Sequence, residues 1–203
     1  MATIKIKGIV LAENNMGDYD KMVTILTPNF GKISCSAKGA RRPKSALLAG
    51  TQLFCFGEYL LYQGTSTYHM NSCEIIEMFY KIRTDLDKLK YAIHINKIVQ
   101  DVTDENENCY NILQIYLNTL YMLSETQKDK EFIVSIFKLR LLSILGFMPR
   151  VMACVSCREK ENLQYFSIRD NGFKCEPCSR QDKSSLYMSE GTKNAIKYTI
   201  AAP

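Results

Sequence analysis

Lys21-Met-Val-Thr-Ile-Leu26, Thr27-Pro-Asn-Phe-Gly31 and Lys32-Ile-Ser-Cys-Ser-Ala37 form the stretch on which the fold turns. Two short runs rich in β-favouring residues flank a break of Thr, Pro, Asn and Gly, the pattern of two strands joined by a turn. Working outward, Thr3 to Leu11 sets Lys5 and Lys7 against Ile4, Ile6 and Gly8, and Asn14-Asn-Met-Gly-Asp18 closes that strand with a turn. Thr51 to Tyr62 and Tyr68 to Ile76 add two more strands, joined by Gln63-Gly-Thr-Ser66. Five strands in so short a segment have the size and count of a Greek-key barrel such as the OB-fold. An SH3-like barrel gives the same string, and strand counting does not separate the two.

After Phe79 the period becomes helical. Asp85 to Val102 carries Leu86, Leu89, Ile93 and Val99; Cys109 to Leu123 carries Ile112, Ile115, Tyr116 and Leu120. The strongest signal is Lys130 to Leu145, with Ile133, Ile136, Phe137, Leu141, Ile144 and Leu145 on one face, Gly146 as a stop and Pro149 blocking continuation. Asp101-Val-Thr-Asp-Glu-Asn-Glu-Asn108 reads as a solvated connection, because a contiguous acidic run scatters its carboxylates rather than converging them on a nuclease metal. The fold class expected is α+β: a five-stranded barrel, then a helical region. There is no internal repeat and no low-complexity segment.

The composition agrees with a folded, non-membrane chain. Of 203 residues, 46% are hydrophobic and 23% charged, within the globular range. No apolar run approaches the roughly 18 residues of a membrane span. Met1 to Lys7 lacks the apolar core and small-residue site of a secretory signal, so a cytoplasmic protein is expected. Twenty-six Lys and Arg against 21 Asp and Glu leave a formal charge of +5, which suits a polyanionic partner without demanding one.

Chemistry concentrates in two places. Cys154-Val-Ser-Cys157 and Cys175-Glu-Pro-Cys178 are 17 residues apart, within the spacing of zinc ribbons and knuckles. Leu163 to Ile168 with Asn171-Gly172 fits a hairpin that brings the pairs together, and the competing reading is four unrelated buried or redox thiols. Four thiolates fill a tetrahedral shell, so the expected Zn2+ is single and structural. Lys32 to Lys44 holds five cations and no acid. Lys38-Gly-Ala-Arg-Arg-Pro-Lys44 is too short and too rich in Gly and Pro for a helix, which predicts a mobile cationic loop able to meet phosphates; the bland reading is a solvated surface. Tyr19 and Tyr62, beside turns, are the candidate base-stacking rings, and most other aromatics read as core. His69 and His94 have no ligand set around them and read as packed or surface residues; the nine methionines read as core filler. No G-x4-G-K-[ST], G-x-G-x-x-G or G-x-S-x-G occurs, which leaves nucleotide hydrolysis, dinucleotide use and serine hydrolysis without a motif.

Three segments together carry a family resemblance. Gly8-Ile-Val-Leu11, Gly17-Asp-Tyr-Asp20, Val23-Thr-Ile-Leu-Thr27, Gly31-Lys-Ile-Ser34 and Lys38-Gly-Ala-Arg-Arg-Pro-Lys-Ser45 resemble the N-terminal domain of the RecO family of bacterial recombination mediators. Phe137-Lys-Leu-Arg-Leu-Leu-Ser-Ile-Leu-Gly-Phe-Met-Pro149 is similar to its central helix, and the two cysteine pairs follow as in its zinc-bearing members. The resemblance implies an OB-fold nucleic-acid-binding domain over 1–80 and a helical domain over 81–203 with a zinc finger inserted at 151–182. Family members continue through further helices, so the helical domain is expected to be truncated at Pro203. It further implies a non-catalytic mediator in DNA repair, in a bacterial, nucleoid-associated setting. Such a protein binds single- and double-stranded DNA, anneals complementary strands, and works with RecR and the single-stranded DNA-binding protein to load RecA. The DNA-contacting residues expected are Lys32, Lys38, Arg41, Arg42, Lys44, Tyr19 and Lys21; the metal ligands are Cys154, Cys157, Cys175 and Cys178. The alternative function is a zinc-ribbon OB-fold protein that binds RNA or a ribosomal or transcription complex. A metal-dependent nucleic-acid enzyme would need an open metal position or clustered carboxylates.

Overall fold

The structure, a computed structural model, describes residues 3–64 and 67–201; the Thr65-Ser66 part of the expected turn lies outside them. The chain falls into two compact units, 1–134 and 135–203. In the first, strands β1 (Thr3–Met16), β2 (Asp20–Thr27) and β3 (Gly31–Ala37) precede a single-turn helix α1 (Leu47–Gly50), then β4 (Phe56–Gln63) and β5 (Tyr68–Glu77). The strands close in the order β1-β2-β3-β5-β4, with β4 antiparallel to β1 and β3 parallel to β5. That closure is the OB arrangement and settles what strand counting left open. Val10, Val23, Ile25, Ile33, Tyr59 and Leu61 fill the interior.

Three boundaries differ from expectation. β1 runs on to Met16, because residues 12–16 pair with β2 out to Met16 opposite Asp20 and the turn is only Gly17 to Tyr19. Residues 51–55 are turn rather than strand: Phe54 sits at φ 65°, and its amide bonds Val10 O at 3.0 Å, so the chain bends into β4 instead of running straight. Leu47 to Gly50 is helical although nothing in its composition announces a four-residue turn.

Helices α2 (Tyr80–Arg83), α3 (Leu86–Val102) and α4 (Tyr110–Glu125) complete the first unit. Asp85 caps α3 by accepting from Lys88 N at 3.1 Å. The buried face of α3 is Ala92, Ile95, Asn96 and Val99, while Leu86 and Ile93 face solvent, which corrects the face expected from the largest apolar residues. The reason is a polar lock. The β1–β2 register shifts between Val10 and Ala12, and the carbonyl of Leu11 at this bulge accepts from Asn96 Nδ2 at 2.9 Å and Gln100 Nε2 at 3.0 Å. Tyr116 of α4 donates in turn to Asn96 Oδ1 at 2.7 Å. A buried asparagine therefore turns α3 toward the barrel.

The acidic connection is docked, not free. Gly31 at φ 62° bridges Glu105, Lys32 N bonds Asp104 O at 3.0 Å and Cys109 N bonds Pro28 O at 2.9 Å, which fastens residues 103–109 along the β2–β3 turn. A Cβ on Gly31 would lie 2.0 Å from Asp104 O, so only glycine admits this approach.

Helix α5 (Lys130–Ile144) leads into the second unit. It stops as expected: Gly146 takes φ 86°, with Phe147 N bonding Leu142 O at 2.8 Å and Gly146 N bonding Ser143 O at 3.2 Å, a Schellman closure. Ile133, Phe137 and Leu141 are buried, but Ile144 at the last turn is exposed. Beyond it, β6 (Leu163–Ser167), β7 (Gly172–Cys175) and β8 (Ser185–Tyr187) form a sheet in the order β7-β6-β8, with α6 (Glu176–Ser179) between β7 and β8 and α7 (Glu190–Ala201) after them. The hairpin was expected; β8 and α7 were not.

Candidate metal centre and nucleic-acid interface

The cysteine pairs meet because the sheet folds them together. Cys154 and Cys157 lie on a turn held by Arg158 N to Cys154 O at 2.9 Å, and Val155 N bonds Phe173 O at 2.9 Å, which ties that turn to β7. Cys175 ends β7, and Cys178 follows on α6, opened by Pro177. The four sulfurs lie within 4.8 Å of one another, with Cys157 to Cys175 at 3.6 Å and Cys154 to Cys175 at 3.8 Å. A tetrahedral ion with metal–sulfur bonds of about 2.3 Å spaces its ligands by about 3.8 Å, so the side chains fit such an ion as they stand.

Electrostatics in the protein alone favours the same conclusion. Burial works against the Cys154 thiolate, but backbone donors at Cys157, Cys175 and Ser156 outweigh it and bring its thiol down to about 6. Cys178 is pushed up to about 12, chiefly by its hydrogen bonds to Cys175 and Cys157. Ionised sulfurs crowded this closely resist one another, and a divalent cation removes the conflict.

Beside the cysteines lies a group that sequence reasoning missed. Lys174 is 2% exposed and pairs with Asp182 at 2.8 Å and Asp170 at 2.5 Å. Asp182 also accepts from Ser167 Oγ at 2.5 Å, Ser184 Oγ at 2.7 Å and Ser184 N at 2.9 Å. The Lys174 ammonium, then these hydroxyls, hold the Asp182 carboxyl well below the usual carboxylate range. The only signal in the sequence was an unexplained lysine inside a hairpin strand.

At the other site, the cationic segment lies against the β1–β2 turn. Gly39 N bonds Asp20 Oδ1 at 2.7 Å, Arg41 N bonds Tyr19 O at 2.9 Å, and Arg41 Nη1 reaches Gly17 O at 3.2 Å. Ala40 is fully buried, yet Lys38, Arg41, Arg42 and Lys44 are exposed. The segment is thus pinned by its backbone and presents its charges outward, which corrects the expectation of a mobile loop. The Arg42 guanidinium carbon lies 5.3 Å from the centroid of the Tyr19 ring, itself 50% exposed.

The remaining candidates are engaged elsewhere. Lys21 is 8% exposed and ion-paired with Glu13, because the extension of β1 brings that glutamate across the ladder. Lys32 donates to Gln100 O at 2.8 Å and so caps the last turn of α3. Tyr62 stacks on His69 with centroids 4.8 Å apart, Ser36 Oγ lies 3.2 Å from His69 Nδ1, and Tyr62 is partly buried where Tyr19 is exposed. His94 is exposed.

A closed OB barrel with a cationic rim, followed by helices and four cysteines gathered closely enough to hold a metal ion, defines an OB-fold protein with a four-cysteine cluster. Comparison with known proteins then places it. Residues 1–79 match the family described as Recombination protein O N terminal and residues 83–202 match Recombination protein O C terminal. The DNA repair protein RecO of Acetivibrio thermocellus is 47% identical over 201 residues, covering 98% of this chain and 80% of that protein. Those of Alkaliphilus metalliredigens and Clostridium perfringens are 35% and 32% identical over 98% of the chain. The chain belongs to the RecO family of DNA repair proteins. Among the described residues no helix is long and apolar enough to cross a membrane.

Proposed function

We propose that this chain is a non-catalytic, DNA-binding recombination mediator. It binds and anneals single strands and, with RecR, helps load RecA onto strands covered by the single-stranded DNA-binding protein. Residues 1–80 act as the nucleic-acid domain, and 81–203 as the helical domain carrying a finger at 151–182. One observation carries the reading: Lys38, Arg41, Arg42 and Lys44 project together from a backbone pinned to the barrel, a charge array preorganised for phosphates. Lys21 and Lys32 complete the proposed contact set, with one donor of each ammonium already given to Glu13 and to Gln100 O. The ion at Cys154, Cys157, Cys175 and Cys178 is zinc, whose preference for four thiolates matches this donor set, and its role is structural because no position is left for water.

The test is annealing of complementary oligonucleotides in the absence of any nucleotide cofactor, beside binding to DNA and RNA of one sequence. Annealing that outpaces the spontaneous reaction, and fails in Arg41→Glu with Arg42→Glu, supports the proposal. Preference for RNA without annealing would replace it with the RNA-binding alternative.

A further inference from the structure

The contact between Tyr19 and Arg42 gives the cationic rim a property that charge alone does not supply. Phosphate contacts read single and double strands alike, whereas a ring can stack only on a base that is not already stacked in a duplex. Tyr19 stands on the three-residue turn between β1 and β2, where Gly17 at φ 52° makes the reversal. Its own carbonyl accepts from Arg41 N, so the ring is fixed at the root of the cationic segment. Arg42 lies over one face of the ring. Among the described residues no other ring or cation is in contact with it, and half of its surface is open.

We propose that Tyr19, backed by the Arg42 guanidinium, is a one-sided stacking platform that makes this rim prefer unpaired bases over a duplex. The proposal deepens, and rests on, the reading of the rim as a DNA site. Arg42 serves twice: its charge faces a phosphate, and its plane fills the side of the ring that a base does not use, so the open face is presented without rearrangement. Asp20 is the positioning residue. By accepting from Gly39 N, it helps to hold the segment beside the β1–β2 turn, where Arg42 lies over the neighbouring tyrosine.

The experiment uses the full chain and three probes: a single-stranded oligonucleotide, a blunt duplex of the same sequence, and a single strand of equal length whose sugars carry no bases. Tyr19→Ala should lose about tenfold in affinity for the normal single strand, in the range of one stacked base. It should bind the duplex and the abasic strand like the wild type, with an unchanged salt dependence. Tyr19→Phe keeps the platform and should bind normally, which separates the ring from any effect of the hydroxyl or of misfolding. Equal losses by Tyr19→Ala on single strand and duplex, or no loss on either, overturn the platform. Arg41→Glu with Arg42→Glu distinguishes the two failures. If that variant still weakens binding to all three probes while Tyr19→Ala does nothing, the platform falls and the phosphate site stands. If it changes nothing, the rim itself is not a DNA site.

Discussion

The barrel and the cysteine-ligated sheet solve the same problem with unequal means. The barrel buries a continuous apolar interior drawn from all five strands and adds one polar lock, Leu11 to Asn96 to Tyr116, at its bulge. The small sheet buries only Val151, Leu163 and Phe173 with two of its cysteines, and Phe166, Met188, Ile196 and Ile200 pack on them half-buried. It compensates with chemistry, a four-thiolate site on one side and the buried Lys174–Asp182 pair on the other. Where a core is too small to order a chain, ligand bonds and ion pairs can take over, and on the proposed zinc reading the stability of this sheet then depends on the ion and on its polar partners.

Metal removal is the widest way to break that comparison. Stripping the ion with a chelator, or replacing Cys175 with Ser, should unfold the β6–β8 sheet, because zinc binding to such sites contributes about 10 kcal/mol or more of folding free energy. Hydrogen exchange should show residues 150–187 losing protection while β1–β5 keep theirs, and metal analysis should return one zinc per chain before treatment. Loss of protection in the barrel as well would show that the regions are not independent.

Asp182→Asn tests the ion pair. It takes from the buried Lys174 ammonium one of its two carboxylate partners and leaves it Asp170, and should lower the melting temperature of the second unit without releasing barrel protection. The sign with pH follows from the depressed carboxyl. Its contribution is complete above the ordinary carboxylate value and fades as pH falls through about 4 and below, so the gap between wild type and variant should be equal on either side of neutrality. A gap that grows with mild acid would point to the cysteines instead.

The barrel's own weak point is smaller. Tyr116→Phe removes one hydroxyl and strands Asn96 Oδ1 in a fully buried place, which should cost about 1–3 kcal/mol in denaturant unfolding of the first unit. Zinc content should not change.

The same contrast governs what the sequence made legible. Strands with alternating apolar residues, the Gly146 stop and the cysteine spacing are local signals, and each appears in the structure near its expected place. Long-range polar partners are not local. Asn96 looked like an ordinary polar residue until Leu11 O stood opposite it, and Lys21 and Lys32 looked like surface cations until Glu13 and Gln100 O absorbed them. β8 escaped because three residues carry no period, and the pinned rim looked mobile because its tethers, Asp20 and Tyr19, lie about 20 residues upstream.

The smallest expected change in stability falls on the region proposed to do the work. Arg41→Glu with Arg42→Glu alters two exposed side chains and gives up only the exposed Arg41 Nη1–Gly17 O bond and the Arg42–Tyr19 contact while the backbone tethers stay, so unfolding should shift by no more than about 0.5 kcal/mol. DNA binding should shift far more. Each phosphate neutralised on a single strand releases counterions, so log affinity falls with log salt by about 0.7 per contact, and removing two contacts should flatten the line by about twice that. Reversing the charges rather than deleting them adds repulsion, so the absolute affinity should drop further than the slope implies. The drop should be uniform across sequences, because phosphates carry no base information. Titrations of wild type and variant at three salt concentrations decide the matter. Converging lines of different slope place phosphate contacts at the rim, whereas superimposed lines would remove the rim from the DNA path and leave the exposed Lys7 of β1 as the next cation to test, ahead of Lys5 and Lys21, whose ammonium groups are ion-paired with Glu58 and Glu13.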